Sequence, residues 1–419
     1  MSSPVEINTK RPLSLFEGYG VELEYMIADS ETLDVKPVSD RLLEKAAGKI
    51  VNEHSLGCMA WSNELVLHVI EIKTNGPAVS LEPLHSAFMG QVRAINEILE
   101  SFGARLMPGA IHPWMNPFTE VKLWPHEQNL IYEAYHRIFD CRGHGWANLQ
   151  STHLNLPFDG DDEFGKLHAA TRLALPLIPA VAASSPIADA ERKPFLDYRM
   201  EMYRTNSMRV PSVTGKIVPE SVFSKSDYEE EIFQPMYREI APFDPDGILQ
   251  EEWLNSRGAM SRWDRQTIEI RVIDNQECPG ADIAVLEWLV NLTKALMDEK
   301  WASRAEQQVW SETELYDILM KTIKLGEQAV IENVDFLSLF GLREKKISAG
   351  ELCSYLFDEL KDVYPFSETS DIHLNLIFEK GPLARRILNA LPSRFTKPDL
   401  FDIYTELCNC LRDGRSFQP

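Results

Sequence analysis

The sequence predicts an α+β or mixed-sheet fold, and three observations carry that expectation. Four apolar runs alternate with period two: GVELEYMI (Gly20 to Ile27), NELVLHVIEIKT (Asn63 to Thr74), STHLNLPF (Ser151 to Phe158) and RQTIEIRVID (Arg265 to Asp274). Segments of helical periodicity separate them, and signals for tight hairpins are scarce, which argues against a sandwich.

The elements follow in order. After the first two strands, Leu84, Phe88, Val92, Ile95, Leu99 and Phe102 recur at spacings of three and four and predict a helix over 80–102. Ser80 is placed to cap it and Gly103 to end it. An extended stretch, 104–112, leads through HPWMNP into a second helix at 127–139, and the third strand follows. Helical patterning returns at 163–183. The stretch 188–215 is irregular and basic, with Arg192, Lys193, Arg199, Arg204 and Arg209, and Lys216 at its edge, and reads as an anion-binding reserve. Beyond the fourth strand, 282–301 reads as an amphipathic helix, and most of the chain to Leu411 is helix-like with charged faces. HLNL at His373 to Leu376 repeats HLNL at His153 to Leu156, but its flanks suit a helix, so the echo is taken as coincidence.

The strands carry polar residues where core residues belong. Alternation projects Glu22 with Glu24, His153 with Asn155, and Glu269 with Arg271. Any one such pair is also what a solvated strand face would show. If Glu22, Glu24, Glu71 and Glu269 meet within ~6 Å, their repulsions at an effective dielectric of ~20 come to about 17 kcal/mol. That exceeds the net stability of an ordinary fold, roughly 5–15 kcal/mol. Bound protons or cations must offset it. Carboxylates with one imidazole suit magnesium or manganese, ions that commonly hold a nucleotide's phosphates.

Composition bounds the function. The 419 residues, 44% apolar, suffice for a substantial core. Asp and Glu number 64 against 42 Lys and Arg, a net charge of −22 that opposes a broad phosphate-backbone footprint, so nucleic acid is not an expected partner. The longest strongly apolar stretch, 173–183, is interrupted by Pro176 and Pro179 and is too short for a membrane span of ~20 residues. MSSPVEINTKRP lacks the apolar region of a secretory signal, and a cytoplasmic location is expected. The six scattered cysteines read as free thiols; Cys408 and Cys410 lack a nearby partner pair for a soft metal. No Gly-rich phosphate loop occurs, so nucleotide phosphates would have to be held by metal ions and arginines. The sequence leaves homo-oligomerisation open.

These segments resemble those of the glutamate-cysteine ligase family, in its bacterial carboxylate-amine ligase group within the glutamine synthetase superfamily. GVELE (Gly20 to Glu24) is similar to the family's opening metal-binding strand and EIKT (Glu71 to Thr74) to its second acid strand. AIHPW, THLN, AASSP and TIEIRVID stand, in the same order, where the family has GTHP, HVHVG, a Ser-Pro turn and an EVRV-like strand. The resemblance implies a glutamine synthetase-like curved, mainly antiparallel sheet covered by helices: a catalytic domain over 1–300 and a helical C-terminal extension over 301–419 packed on it. It makes Glu22, Glu24, Glu64, Glu71, His153 and Glu269 ligands of two to three Mg2+ (or Mn2+) ions. Arg271 would contact ATP phosphates or an acyl-phosphate. Arg199, in DYRMEMYR, would grip the carboxylate substrate, with Arg192 a poorer match; Thr74, Asn155 and His112 would be further substrate contacts.

Departures from the family pattern qualify the transfer. Glu64 and Glu71 lie an odd number apart, so a regular strand would turn them to opposite faces; a bulge, or Glu64 in a preceding loop, is required. Leu67 stands where many relatives carry an acid, His68 beside it can alter a ligand, and Asn155 replaces a histidine. The activity implied is ATP-dependent amide formation between an amino acid's carboxylate, such as glutamate's, and an amine, through an acyl-phosphate. A non-catalytic nucleotide- or amino-acid-binding relative and a metal-dependent hydrolase are the alternatives.

Overall fold

The computed structural model describes residues 11–127 and 129–419. The N-terminal segment on which the expected location rests lies largely outside them. Strands β1 (Gly20–Asp29), β2 (Glu53–Leu56), β3 (Met59–Asn63), β4 (Val69–Thr74), β5 (Ala104–Met107) and β6 (Ser151–Pro157) come first. A small hairpin, β7 (Ile187–Ala188) with β8 (Glu191–Arg192), precedes β9 (Ala259–Arg262) and β10 (Thr267–Asp274). The main sheet runs β2-β3-β4-β1-β6-β10-β9, with β5 also on β1. All its pairings are antiparallel, as the resemblance implies.

Alternation divides the sheet into two faces. Val21, Leu23, Tyr25, Ile70, Ile72 and Leu154 point one way and join a single core with Phe88, Leu167 and Leu286, from the helices Leu84–Glu100, Gly160–Ala174 and Pro279–Met297. The last of these is buried on nearly every side, so it reads as apolar throughout rather than as a stripe. Leu319, Leu356 and Leu374, from beyond residue 300, belong to the same core. Further helices at Leu383–Ala390 and Lys397–Asp413 pack on β1 and β5 through Leu383, Leu400, Tyr404 and Leu407, against Met26, Ala28 and Met107.

Several expected boundaries move, each for a local reason. The run 63–74 is two strands, because residues 64–68 form an irregular connection between β3 and β4. The helix expected from Ser80 starts at Leu84: Glu82 and Pro83 make a turn first, and Leu84 N–H bonds Leu81 O. Pro176 and Pro179 break the 163–183 segment into Gly160–Ala174, a 3-10 turn at Leu175–Leu177 and Ile178–Ala182. Strands β2, β3 and β9 were not expected, being short and carrying no long apolar alternation. His373 lies in the helix Glu368–Lys380, so its HLNL and that of β6 share no structure. All six cysteines are free. Among the described residues no helix is long and apolar enough to cross a membrane.

A buried ion pair ties the C-terminal tail to the core. Arg386 Nη1 donates to Glu277 at 2.6 Å and to the Phe417 carbonyl at 2.7 Å, while Phe417 N–H donates to Glu277 at 3.2 Å. Both side chains are at most 2% exposed. Burial pushes the Glu277 carboxyl up, but Arg386 outweighs it and holds it below the usual range. Removing one partner of such a pair costs about 3–5 kcal/mol, while an apolar pair of similar volume can be neutral. Arg386→Met is therefore expected to lower the urea unfolding midpoint sharply, and Glu277→Leu on that background to recover part of the loss. Equal midpoints for wild type and Arg386→Met would show the pair to be idle.

Candidate active site

The sheet register assembles the acids. Glu24 lies opposite Glu71, Glu22 opposite His153 and Glu269 opposite Asn155, all on the face turned away from the core. Gly20 permits this approach of β1 to β6, since a Cβ there would stand 2.9 Å from Asn155 Cβ. Glu64 comes from the connection after β3, which resolves its odd spacing from Glu71: the loop aims it at the same cluster. Ligand atoms of Glu22, Glu71 and His153 fall within 4.8 Å of one another, as do those of Glu24, Glu64 and Glu71.

Hydrogen bonds fix the protonation pattern. Ser151 donates to Glu24 through its backbone N–H (2.7 Å) and its hydroxyl (3.0 Å), so its oxygen is left to accept from His153 Nε2 at 2.9 Å. His153 Nδ1 faces Glu22 at 2.9 Å. With an oxygen at hydrogen-bond distance from each ring nitrogen, the surroundings of His153 favour the imidazolium form. Burial opposes that charge, but Glu22 and Glu24 raise its pKa to about 9. Burial likewise pushes Glu22 up, yet His153 wins and brings it to about 2. Ser62 donates to Glu71 at 2.6 Å, and Lys73 bridges Glu71 (3.1 Å) and Glu53 (3.0 Å). These are not enough: burial and Glu22 raise Glu71 to about 7, and burial with Glu24 and Glu71 raises Glu64 well above the carboxylate range. The cluster is short of positive charge.

Two arginines border it. A one-residue bulge lets two β10 residues, Arg271 and Val272, stand opposite His153, turning Val272 into the core while Arg271 keeps the cleft. Arg271 pairs with Glu269, and its buried Nε has no partner in the protein. Arg199, on the short helix Tyr198–Tyr203, pairs with buried Asp274 and donates from both Nη atoms to the Arg271 carbonyl at 3.3 Å. Burial and Asp274 push the neighbouring Asp197 carboxyl up. A second cleft opens on the other side of Glu22, bordered by Lys73, Thr74, Asn155 and Arg265. Thr74 Oγ1 accepts from Val21 N–H at 3.2 Å, and Asn155 Nδ2 donates to Glu22 at 3.4 Å.

Glu22, Glu24, Glu64, Glu71, His153, Glu269, Arg199 and Arg271 thus share one neighbourhood, with Thr74 and Asn155 across Glu22. Three expectations fail. His112 is fully buried, with Nε2 on Leu33 O at 2.8 Å and Nδ1 accepting from Trp114 and Met115 N–H, so it organises a turn. Arg192 is exposed on β8 and borders neither cleft. His68 is buried with its Nε2 on Ala147 O at 2.8 Å and borders neither cleft, so it stands apart from the acids. The basic reserve also disperses: Lys193, Arg204 and Lys216 pair with Asp189, Glu201 and Glu312, Arg209 bonds the Ile138 carbonyl, and of that group only Arg199 reaches the cleft. Unforeseen were Ser62, Lys73 and Ser151, and the aromatic wall of Tyr132, Tyr135, Trp146, Tyr203 and Trp253. Lys73 and Ser151 each stand two residues from a named site residue, so alternation alone could have found them.

Known proteins share this sequence pattern and this fold. The sequence profile described as Glutamate-cysteine ligase family 2(GCS2) matches residues 19–329. A protein of Archaeoglobus fulgidus that carries no functional name is 35% identical over 94% of this chain and 98% of its own length. A Bradyrhizobium diazoefficiens protein provisionally named glutamate--cysteine ligase 2 is 24% identical over 89% of this chain and 79% of its own. The crystal structure of a Francisella tularensis glutamate--cysteine ligase, in complex with AMP, matches with a TM-score of 0.63 at 12% identity, covering 96% of this chain and 90% of that one. That likeness shows a shared fold, the glutamine synthetase-like one. With most of its length matched by the family profile, the chain belongs to glutamate-cysteine ligase family 2 and is an enzyme of the ligase class.

Proposed function

We propose that this chain is an ATP-dependent carboxylate-amine ligase, joining an amino-acid carboxylate such as the γ-carboxyl of glutamate to an amine through an acyl-phosphate. One observation carries the reading: two overlapping triples of oxygen and imidazole donors, under-neutralised by the protein, lie between two clefts with Arg199 and Arg271 at the edge. The donor set fits hard divalent cations. Glu22, Glu71 and His153 would hold one ion and Glu24, Glu64 and Glu71 another, with Glu269 available for a third; His153 would release its proton to coordinate. Bound magnesium or manganese would neutralise charge on the β- and γ-phosphate oxygens.

The chain's own residues would do the rest. A carboxylate is unreactive toward amines because its leaving group would be an oxide. Its oxygen attacks the γ-phosphorus instead, the bond to ADP breaks, and the electron pair leaves on the β-phosphate oxygen. Arg271, which borders the cleft, would neutralise the transferring phosphoryl group. Arg199, held by Asp274, would orient the carboxylate substrate. The amine, after losing one proton, attacks the acyl carbon; the C–O bond breaks, phosphate departs with the electron pair, and the second proton is lost to solvent. Thr74 and Asn155 border the cleft across Glu22, where the nucleotide body would lie. Six unpaired thiols fit a reducing, cytoplasmic setting.

Purified protein with ATP, magnesium and glutamate is expected to bind nucleotide, and with hydroxylamine to release one ADP per hydroxamate. No nucleotide binding at millimolar ATP and magnesium would refute the ligase reading. Glu71 belongs to both triples, so Glu71→Gln is expected to weaken Mn2+ binding about tenfold or more, read by electron paramagnetic resonance, the loss of about one charge-assisted contact. Arg199→Lys is expected to raise the KM for the carboxylate substrate about tenfold, because an ammonium cannot reproduce the guanidinium fork; an unchanged KM would remove Arg199 from that role.

A further inference from the structure

The polar face of the sheet continues past the acids toward its β2 edge, in two adjacent rows. One row across the strands reads Glu53, Ser62, Glu71 and Glu24, on β2, β3, β4 and β1. The next reads Ala60, Lys73, Glu22 and His153, on β3, β4, β1 and β6. Lys73 therefore stands opposite Glu22 on one side, as His153 does on the other. Ala60 and Ser62 are short, so the lysine stem crosses β3: its Nζ lies 3.0 Å from Glu53 and 3.1 Å from Glu71. One ammonium is shared between an acid inside the proposed cation cluster and an acid outside it.

Glu22 borders both clefts, and Lys73 borders the second, where the nucleotide body would lie. Among the described residues lining that cleft, Arg265 is the only other cation, and its side chain is 62% exposed against 25% for Lys73. Lys73 is thus the sheltered positive charge beside the point where the clefts meet.

Cation binding alters what holds this lysine. A divalent ion on Glu71 brings two further positive charges to a carboxylate that the ammonium already touches, and like charges on one carboxylate repel. Glu53 belongs to neither donor triple, so it keeps the ammonium at the cleft. Lysine carries a compact charge on a flexible four-carbon stem, which lets it leave Glu71 while β4 stays paired, and it binds phosphate as a point charge. A polyphosphate entering beside Glu22 and Glu53 needs such a charge between it and the two carboxylates.

Resting on the ligase reading above, we infer that Lys73 is a further nucleotide-binding residue, which pairs with Glu71 until divalent ions take that acid and then meets the polyphosphate of ATP. Arg271 serves the transferring group at the first cleft, and Lys73 the phosphates on the nucleotide side of Glu22. Two variants test it: Lys73→Met removes the charge, and Lys73→Gln removes it while keeping an amide that can donate to Glu71 and Glu53. Mn2+ binding without nucleotide is read by electron paramagnetic resonance, and binding of ATP and of adenosine at saturating magnesium by calorimetry. Both variants are expected to bind Mn2+ at least as tightly as wild type, because a competing positive charge is gone. Their affinity for ATP is expected to fall about tenfold or more, the loss of about one charge-assisted contact, with adenosine unaffected. Wild-type affinity for ATP in either variant would overturn the inference and leave the ligase reading intact. So would a parallel loss of Mn2+, ATP and adenosine binding, the mark of a lysine that only braces the sheet. Absence of ATP binding by the wild-type protein would bring down both.

Discussion

Mutual repulsion among the carboxylates on one face of the sheet is the constraint around which this structure is arranged. At 4.8 Å and an effective dielectric of ~20, each like-charged pair costs about 3–4 kcal/mol. The protein offsets part of it with Lys73, Arg271 and an imidazolium at His153, and part with hydrogen bonds from Ser62 and Ser151. What it leaves is visible in Glu64 and Glu71, whose pKa values stay raised by burial and by neighbouring acids. A site optimised only for folding would have traded these acids for apolar residues. Their under-neutralised state is what the proposed cation binding would draw on.

Such a cluster needs a support that cannot relax to separate the charges. Four of its members sit on the adjacent strands β4, β1 and β6, and the opposite face of those strands is a continuous apolar core. Separating Glu24 from Glu71 would break the ladder that holds both and expose Leu23 and Ile72. The arginines are braced in a different way. The bulge in β10 sets Arg271, and its carbonyl accepts from Arg199, which in turn is paired with Asp274 on the same strand. One strand therefore positions an acid, Glu269, and both cations, and their spacing is set by backbone geometry rather than by flexible side chains.

Period-two alternation made the strand-borne half of this site legible: Glu22 with Glu24, and Glu269 with Arg271, declared themselves by parity, and motif order connected them across long distances. Parity also marked Glu64 as needing a loop, and a loop is what carries it. Where residues lie off the strands, alternation says nothing. His112 and Arg192 were drawn in by neighbouring motifs, but a histidine accepting backbone N–H bonds and a surface arginine look the same in sequence as ligands do. The aromatic wall was invisible for the same reason, since Tyr135, Trp146 and Trp253 come from three short elements with no shared period. Short strands such as β2 and β9 carry too few residues for a pattern, and their pairing comes from the tertiary context.

The C-terminal helices show how the sheet's polar face is given a boundary. Along β1 the residues of one parity are Glu22, Glu24, Met26 and Ala28, so a single strand face changes from acid to apolar at its midpoint. Past that point the face is covered: Met26 and Ala28 pack with Leu400, Tyr404 and Leu407, and the tail beyond is tied down by Arg386 and Glu277. Were that cover absent, the apolar half of β1 would lie open to water beside the charged half. The C-terminal helices thus close one end of the face on which the acids gather, at the point where β1 turns from charged to apolar.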